Sequence, residues 1–366
     1  MKTHAMRWLA LVSLFASGYV SAVPVTDELD IGGAVRLNYG WKDYDDNAKF
    51  EFELFRIDVN YKKDKLLASA QYRWYQDQEV VHHAWAGYQF TDKDVVKLGI
   101  TLVPFGLLPT ASHSFWFGGT YYLGFEDDYD AGIHWQHDAD DGWRYDLAYF
   151  ANDEYGDGSR VKRYSFDVAT TPARPYEEAG QLNARVEKQL SVGDAAHKLG
   201  ASFQWSEFDY VPSENAVAGE DTDGYAAAVH WQMDWRKWQT QLQYIHYDYD
   251  FPDDRMAMSA FAYPFEIASK ADVYSANLAH SMDVSWGPIS NVNCYNDFTY
   301  TAASGAGLDN SIQNVTGCML TAGKFYTYVD WIAGKNMWFA NGPGIGIAEG
   351  ENGWHSRLNI NIGLYF

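Results

Sequence analysis

Residues 354–366 read Trp-His-Ser-Arg-Leu-Asn-Ile-Asn-Ile-Gly-Leu-Tyr-Phe. Leu358, Ile360, Ile362, Leu364 and Phe366 are apolar, and Arg357, Asn359, Asn361, Gly363 and Tyr365 fall between them. The period of two gives an extended strand one greasy face and one polar face. The alternation runs to the last residue. A sheet edge left open there would expose unpaired peptide groups, whereas pairing the last strand to the first closes the sheet and removes the edge.

Working outward, a terminal aromatic on alternating apolar positions resembles the signal read by bacterial outer-membrane assembly machinery. The opposite end agrees. Lys2 and Arg7 precede an apolar run from Trp8 to Phe15, and Val20-Ser21-Ala22 is a small-residue cleavage site. We therefore expect residues 1–22 to be a cleaved export signal and 23–366 to form one β-domain. No stretch offers the 18 or more apolar residues of a spanning helix. Aromatic residues nevertheless make up 17% of the chain, with 27 Tyr, 20 Phe and 15 Trp. Two interfacial girdles would use many of these.

Alternating segments of about ten residues recur along the chain, the length of a tilted membrane crossing. Strands are expected at 30–41, 50–61, 66–74, 79–90, 96–102, 129–136 and 143–149. They continue at 179–190, 197–207, 224–233, 237–247, 270–283, 288–301, 318–331, 335–341 and 354–366. In the second strand Phe50, Phe52 and Leu54 are out of phase with Phe55, Ile57 and Val59, which predicts a bulge. Counting 162–170 as well gives seventeen crossings. Both chain ends of such a barrel lie in the periplasm, so the number must be even. We therefore assign 162–170 to a long external loop, 152–178. The expected fold is all-β, a 16-stranded antiparallel transmembrane β-barrel of the bacterial outer membrane. A barrel of that size encloses an aqueous lumen.

The net charge of −22 excludes nucleic acid as a partner. The acids gather in expected loops, including Asp43, Asp45, Asp46, Asp127, Asp128, Asp153, Glu154, Glu220, Asp221, Asp250, Asp253 and Asp254. They are either solvated or bridged by divalent cations to lipopolysaccharide phosphates or to neighbouring loops. Alternation turns Arg36, Arg56, Arg73, Lys97, Arg144, Arg185, Lys198 and Arg357 into the lumen, with Asp30, Asp58, Asp146 and Glu187 as inward acids. Basic rings favour anions and phosphates. The alternative is that inward Arg and Asp neutralise each other and stiffen the wall. Segment 104–127 is the candidate constriction, an external loop folded inward. Its glycines include Gly106, Gly118, Gly119 and Gly124. Phe105, Phe115, Trp116, Tyr121 and Tyr122 could pack on the wall or form a slide for sugars. Cys294 and Cys318 are an even pair in an oxidising compartment and are expected to form a disulfide.

Catalytic signals are weak, and no enzyme, cofactor or metal site is expected. His113-Ser114 lacks an orienting third group. His82 and His83 are neighbours on a strand, so they are expected on opposite faces.

The run Lys97-Leu98-Gly99-Ile100-Thr101-Leu102-Val103-Pro104-Phe105-Gly106-Leu107 resembles the phosphate-selective porin O and P family of outer-membrane porins. The hairpin Ala196-His197-Lys198-Leu199-Gly200-Ala201-Ser202-Phe203 is similar to that family's mid-chain hairpin. The resemblance implies a 16-stranded barrel with an inward third loop, commonly a homotrimer in contact with lipid and lipopolysaccharide. The expected function is passive diffusion of small hydrophilic solutes or ions, with an anion or phosphate preference. The alternative is a surface-displayed structural or receptor barrel with an occluded lumen.

Overall fold

The computed structural model describes residues 23–212, 216–348 and 353–366, and the expected export signal lies outside them. Sixteen strands form the wall: Leu29–Lys42, Asp45–Lys63, Leu66–Tyr75, Glu79–Gln89, Asp94–Leu102, Tyr129–Asp138, Trp143–Asn152, Tyr176–Val192, Ala195–Tyr210, Thr222–Trp235, Trp238–Tyr249, Lys270–Trp286, Ile289–Ala303, Ser311–Ala322, Phe325–Lys335 and Trp354–Tyr365. Each is antiparallel to the next. The last pairs with the first, with Ile360 opposite Tyr39 and Leu364 opposite Val35. Gly33 and Phe366 exchange backbone hydrogen bonds of 2.9 and 3.0 Å, so the terminal residue completes the seam. No helix among the described residues is long and apolar enough to cross a membrane, and the strands make the crossings. The fold is that of a Gram-negative outer-membrane barrel.

The alternation read from the sequence sets the two faces. Leu98, Leu147, Tyr149, Val229 and Trp331 lie exposed on the outside, while Asn183, Ser206, Gln241 and Asn361 are buried inside. Burying apolar side chains in lipid and backbone groups in the closed ladder satisfies both demands of a bilayer. Periplasmic turns are tight. Gly193, Gly287 and Gly323 adopt positive φ with open space around them, so it is the turn geometry that calls for glycine there.

The bulge predicted in the second strand is present. Arg36 faces Leu54 and Leu37 faces Phe52, which leaves Glu53 as the extra residue. Segment 162–170 is not a stave. Its Asp167–Val168 joins a separate four-stranded sheet with Arg255–Ala260, Tyr263–Ala268 and Gly344–Ile345, all from external loops.

The penultimate hairpin differs from expectation. The staves are Ser311–Ala322 and Phe325–Lys335, not 318–331 and 335–341. Two local features account for the misreading. The outer face of Ser311–Ala322 carries Asn314 and Thr316, which interrupts the apolar period, and the Gly323-Lys324 turn lies inside what looked like one strand. Residues 336–341 belong to the external connection.

Adjacent strands carry Cys294 and Cys318 at directly opposed positions, and they form a disulfide with a Cα–Cα distance of 4.0 Å. Beside it on the same outer face, Asn296 Nδ2 donates to Asn314 Oδ1 at 3.0 Å and to Thr316 Oγ1 at 2.7 Å.

The external half of the lumen is packed. Inward residues of the wall, including Phe150, Phe208, Ile245, Tyr247, Val273 and Ile332, join Phe105, Phe125, Phe166, Met258 and Ile267 of the loops in one apolar cluster. The four-stranded loop sheet therefore rests on loop 103–128, which in turn rests on the wall.

Candidate functional site

Loop 103–128 lies inside the barrel. Gly106, at φ 61°, bends the chain inward just after Pro104. There its N–H donates to Ser202 Oγ at 3.0 Å, and its carbonyl accepts from Arg185 Nε at 2.8 Å. Leu107 N–H donates to Gln243 Oε1 at 2.7 Å. Further along, Asn277 holds the carbonyl of Ala111. Asp297 is the central anchor. Its carboxylate accepts from the N–H groups of His113 and Ser114, both at 2.8 Å, and meets His113 Nδ1 at 2.7 Å. Gly119 N–H donates to Thr299 Oγ1 at 3.0 Å, so close that a Cβ at Gly119 would collide with that side chain. Gln313 Nε2 reaches the Phe117 carbonyl at 2.8 Å. Val103 N–H on Asp128 O, at 2.9 Å, closes the neck. Buried polar wall groups thus find partners in loop backbone, which would otherwise be left without water.

The expected aromatic residues of this loop divide into two sets. Phe105, Tyr121 and Tyr122 are buried in the apolar cluster, so they do not form a slide for a passing solute. Phe115 and Trp116 are half-buried. The Arg36 guanidinium lies 5.0 Å from the Phe115 ring and that of Arg357 lies 4.5 Å from Trp116.

Half of the basic wall is neutralised by ion pairs. Arg36 pairs with Glu53 at 2.8 Å, and Arg56 with Asp58 at 3.2 Å. Arg144 meets Asp146 at 3.2 Å, and Arg185 bridges Asp146 at 3.3 Å and Glu187 at 2.5 Å. Acids two residues along the strand, or on the neighbouring one, reach these guanidinium groups on a shared face. Arg73 donates to Gln71 Oε1 at 2.5 Å and sits 4.3 Å from the Tyr164 ring. Lys97 lies 5.1 Å from the Trp85 ring. Among the described residues Arg73, Lys97, Lys198 and Arg357 have no ion-pair partner, and of these Lys97 and Lys198 lie away from the external loops.

Sequence reading missed the inward acids Glu53, Asp130, Glu178, Asp297 and Asp330. The bulge hid Glu53 and the misplaced hairpin hid Asp330. Asp297 was legible from its alternation with Asn293, Tyr295 and Thr299. Given the strand directions, Lys97, Arg144 and Lys198 lie toward the periplasmic end. Asp130 and Glu178 lie toward the outside, beside the loop acids. Burial pushes the Glu126 carboxyl up to about 7, although Thr120 donates to it. At Asp127 burial acts in the same direction, but His82, Arg73 and Tyr164 outweigh it and hold that carboxyl below its usual range.

His82 and His83 do not take opposite faces. A bulge opposite Gln71 and Tyr72 brings their Nδ1 atoms to 2.8 Å, with His83 Nε2 on Ser69 Oγ at 2.8 Å and His82 Nε2 3.8 Å from Asp127. His113 and Ser114 do not form a nucleophile and base. His113 Nε2 is taken by Gln239 Oε1 at 2.8 Å, and Ser114 Oγ points to the Phe117 carbonyl at 3.4 Å.

A closed sixteen-strand barrel with a polar inner wall and its longest early loop inside it is the architecture of porin-type outer-membrane channels. Solved structures agree. OmpT of Vibrio cholerae in its trimer form aligns over 92% of this chain and 99% of its own, at 14% identity and a TM-score of 0.60. The anion-selective porin of Comamonas acidovorans aligns over 92% and 99%, at 14% identity and a TM-score of 0.58. The outer-membrane channel DcaP of Acinetobacter baumannii aligns over 95% and 100%, at 9% identity and a TM-score of 0.60. At these identities the similarity is one of fold. The chain matches no known family's sequence model. A search of curated proteins finds no match.

Proposed function

We propose that this chain is a porin, a passive diffusion channel for small hydrophilic solutes with a preference for small anions, and not an enzyme. The observation that carries the reading is the polar-walled closed barrel with loop 103–128 bound across its interior. The anion preference rests on Lys97 and Lys198, the cations that lack carboxylate partners near the periplasmic end. A phosphate-specific ladder of the porin O and P kind has less support, because loop 103–128 carries no Lys or Arg. In a planar bilayer under a KCl gradient, the reversal potential is expected on the chloride side. A Lys97→Glu, Lys198→Glu variant should move it toward potassium. An unselective wild-type channel, or a variant with the same potential, would rule out this assignment.

The alternative reading, a surface-displayed barrel with a blocked lumen, draws on the apolar cluster packed inside the outer half. It predicts no discrete conductance steps at all.

The proposed assembly is a homotrimer. Asn296, Asn314 and Thr316 form a hydrogen-bonded polar patch on an outer face, where polar side chains are costly against lipid even when paired and are better covered by another protein wall. Elsewhere on the outside, Ala68, Ala70, Ala84 and Ala86 line a shallow concavity of about 250 Å³ bordered by Val59, Tyr61 and Leu98. Small side chains of this kind let a second wall approach. Unheated protein should migrate on a gel at about three times the mass of the heated chain, and migration as a single barrel would refute the trimer.

A further inference from the structure

Where loop 103–128 rejoins the wall, Asp128, Asp130 and Asp167 bring carboxylate oxygens within 4.8 Å of one another, and all three residues are buried. They come from two pieces of chain: Asp128 and Asp130 flank Tyr129 where the loop runs into strand Tyr129–Asp138, and Asp167 belongs to the short strand Asp167–Val168 of the external sheet. A cavity of about 30 Å³ adjoins them, walled by Asp128, Asp167, Glu178, Gln181, Gln204 and Ser206. That is room for an ion or a water.

The surrounding groups leave this cluster short of partners. Arg163 is the nearby cation. Its Nη1 lies 2.8 Å from Asp153 and 3.4 Å from Asp167, and its other nitrogens are taken by the carbonyls of Gly158, Arg160 and Val168. Neither Asp128 nor Asp130 has an ion-pair partner among the described residues. Gln181 is 1% exposed and donates Nε2 to Asp130 at 2.8 Å. Its own Oε1, on the cavity wall, has no hydrogen-bond partner, nor do Asp128 Oδ1, Asp130 Oδ1 and Glu178 Oε1. A buried carboxamide oxygen and three buried carboxylate oxygens without partners, all on residues at this cluster, lack a donor or a cation.

We propose that Asp128, Asp130 and Asp167, with oxygens of Gln181 and Glu178 at the margin, bind one calcium ion that latches loop 103–128 to the external sheet. Hard oxygen donors suit a hard cation. Calcium takes six to eight oxygen ligands at roughly 2.3–2.6 Å in flexible geometry and accepts carboxylate and carboxamide oxygens brought from different elements, whereas magnesium demands a near-ideal octahedron and keeps several of its waters. The assignment does not depend on the channel reading, since the same latch would hold in an occluded barrel.

The test uses the full barrel, refolded in detergent without lipopolysaccharide and stripped with EDTA. Equilibrium dialysis with calcium alone is expected to give saturable binding of about one ion per chain, with magnesium at least tenfold weaker. Terbium should show emission sensitised by Tyr249, which lines the cavity. Asp128→Asn and Asp130→Asn should each weaken calcium binding at least tenfold, whereas an Asp46→Asn, Glu220→Gln pair at exposed positions should leave it unchanged. Heat-dependent gel migration reports whether each variant folds. If neither aspartate variant folds, the wild-type chain decides: calcium should raise its unfolding temperature by several degrees. Absence of saturable binding, equal binding by folded Asp128→Asn, or loss of binding in the surface pair would overturn the site.

Discussion

Replacing Asp297 with alanine is expected to free loop 103–128 from the wall and turn a quiet channel into a noisy one of higher conductance. The loop has no strand partner of its own in this region, and one carboxylate gathers two backbone N–H groups and an imidazole at 2.7–2.8 Å. Hydrogen bonds to a buried charged group contribute roughly 1.5–3 kcal/mol each and do not add fully. Removing all three, with the donors left buried, should cost about 3–5 kcal/mol of local stability. The barrel ladder itself is untouched, so the variant should still assemble. Single-channel recording is the direct measurement, supported by protease cleavage near residue 113 in the variant. Asp297→Asn keeps the shape but only one good acceptor, and should fall between the two. A recording of Asp297→Ala indistinguishable from the wild type would mean that the loop is held by its apolar packing.

Current noise should also rise between about pH 5 and pH 8, because of Glu126. This carboxyl sits inside the loop's packing near Thr120, Asp127 and Asp297, and burial raises it from an ordinary 4.5 to about 7. The folded loop therefore favours the protonated acid. Its contribution is fully present below about pH 4.5 and is lost as pH climbs through about 7. The side chain is wholly buried, so a shift of this size corresponds to about 3 kcal/mol, on the order of the anchoring by Asp297. A glutamine mimics the protonated acid. Glu126→Gln should stay quiet across the whole range, and a pH slope unchanged by that substitution would dismiss Glu126 as the cause.

Much of the barrel was legible because lipid imposes a rule that local sequence must obey. Outward residues must be apolar and every peptide group must be paired, so Leu358 to Phe366 already implied closure, and evenness of the strand count removed 162–170 from the wall. The rule weakens wherever the outer face is polar. Asn314 and Thr316 broke the period and misplaced the penultimate hairpin, and the tight turn at Gly323 went unread. Bulges defeat the period of two altogether. They concealed Glu53 and brought His82 and His83 to within bonding distance.

By itself, the sequence determined the sixteen-strand closure, the inward phase of the arginines and the cysteine pair, since each follows from alternation, parity or count. Tertiary structure alone decided what those arginines do. Arg36 and Arg185 became parts of ion pairs because acids from a bulge, from the same strand and from neighbouring strands converge on them. Likewise Asp167 is distant along the chain from Asp128 and Asp130, and only the packing of an inward loop beneath an external sheet crowds their oxygens together. Periodicity describes which way a side chain points; it carries no information about which residues meet across a lumen.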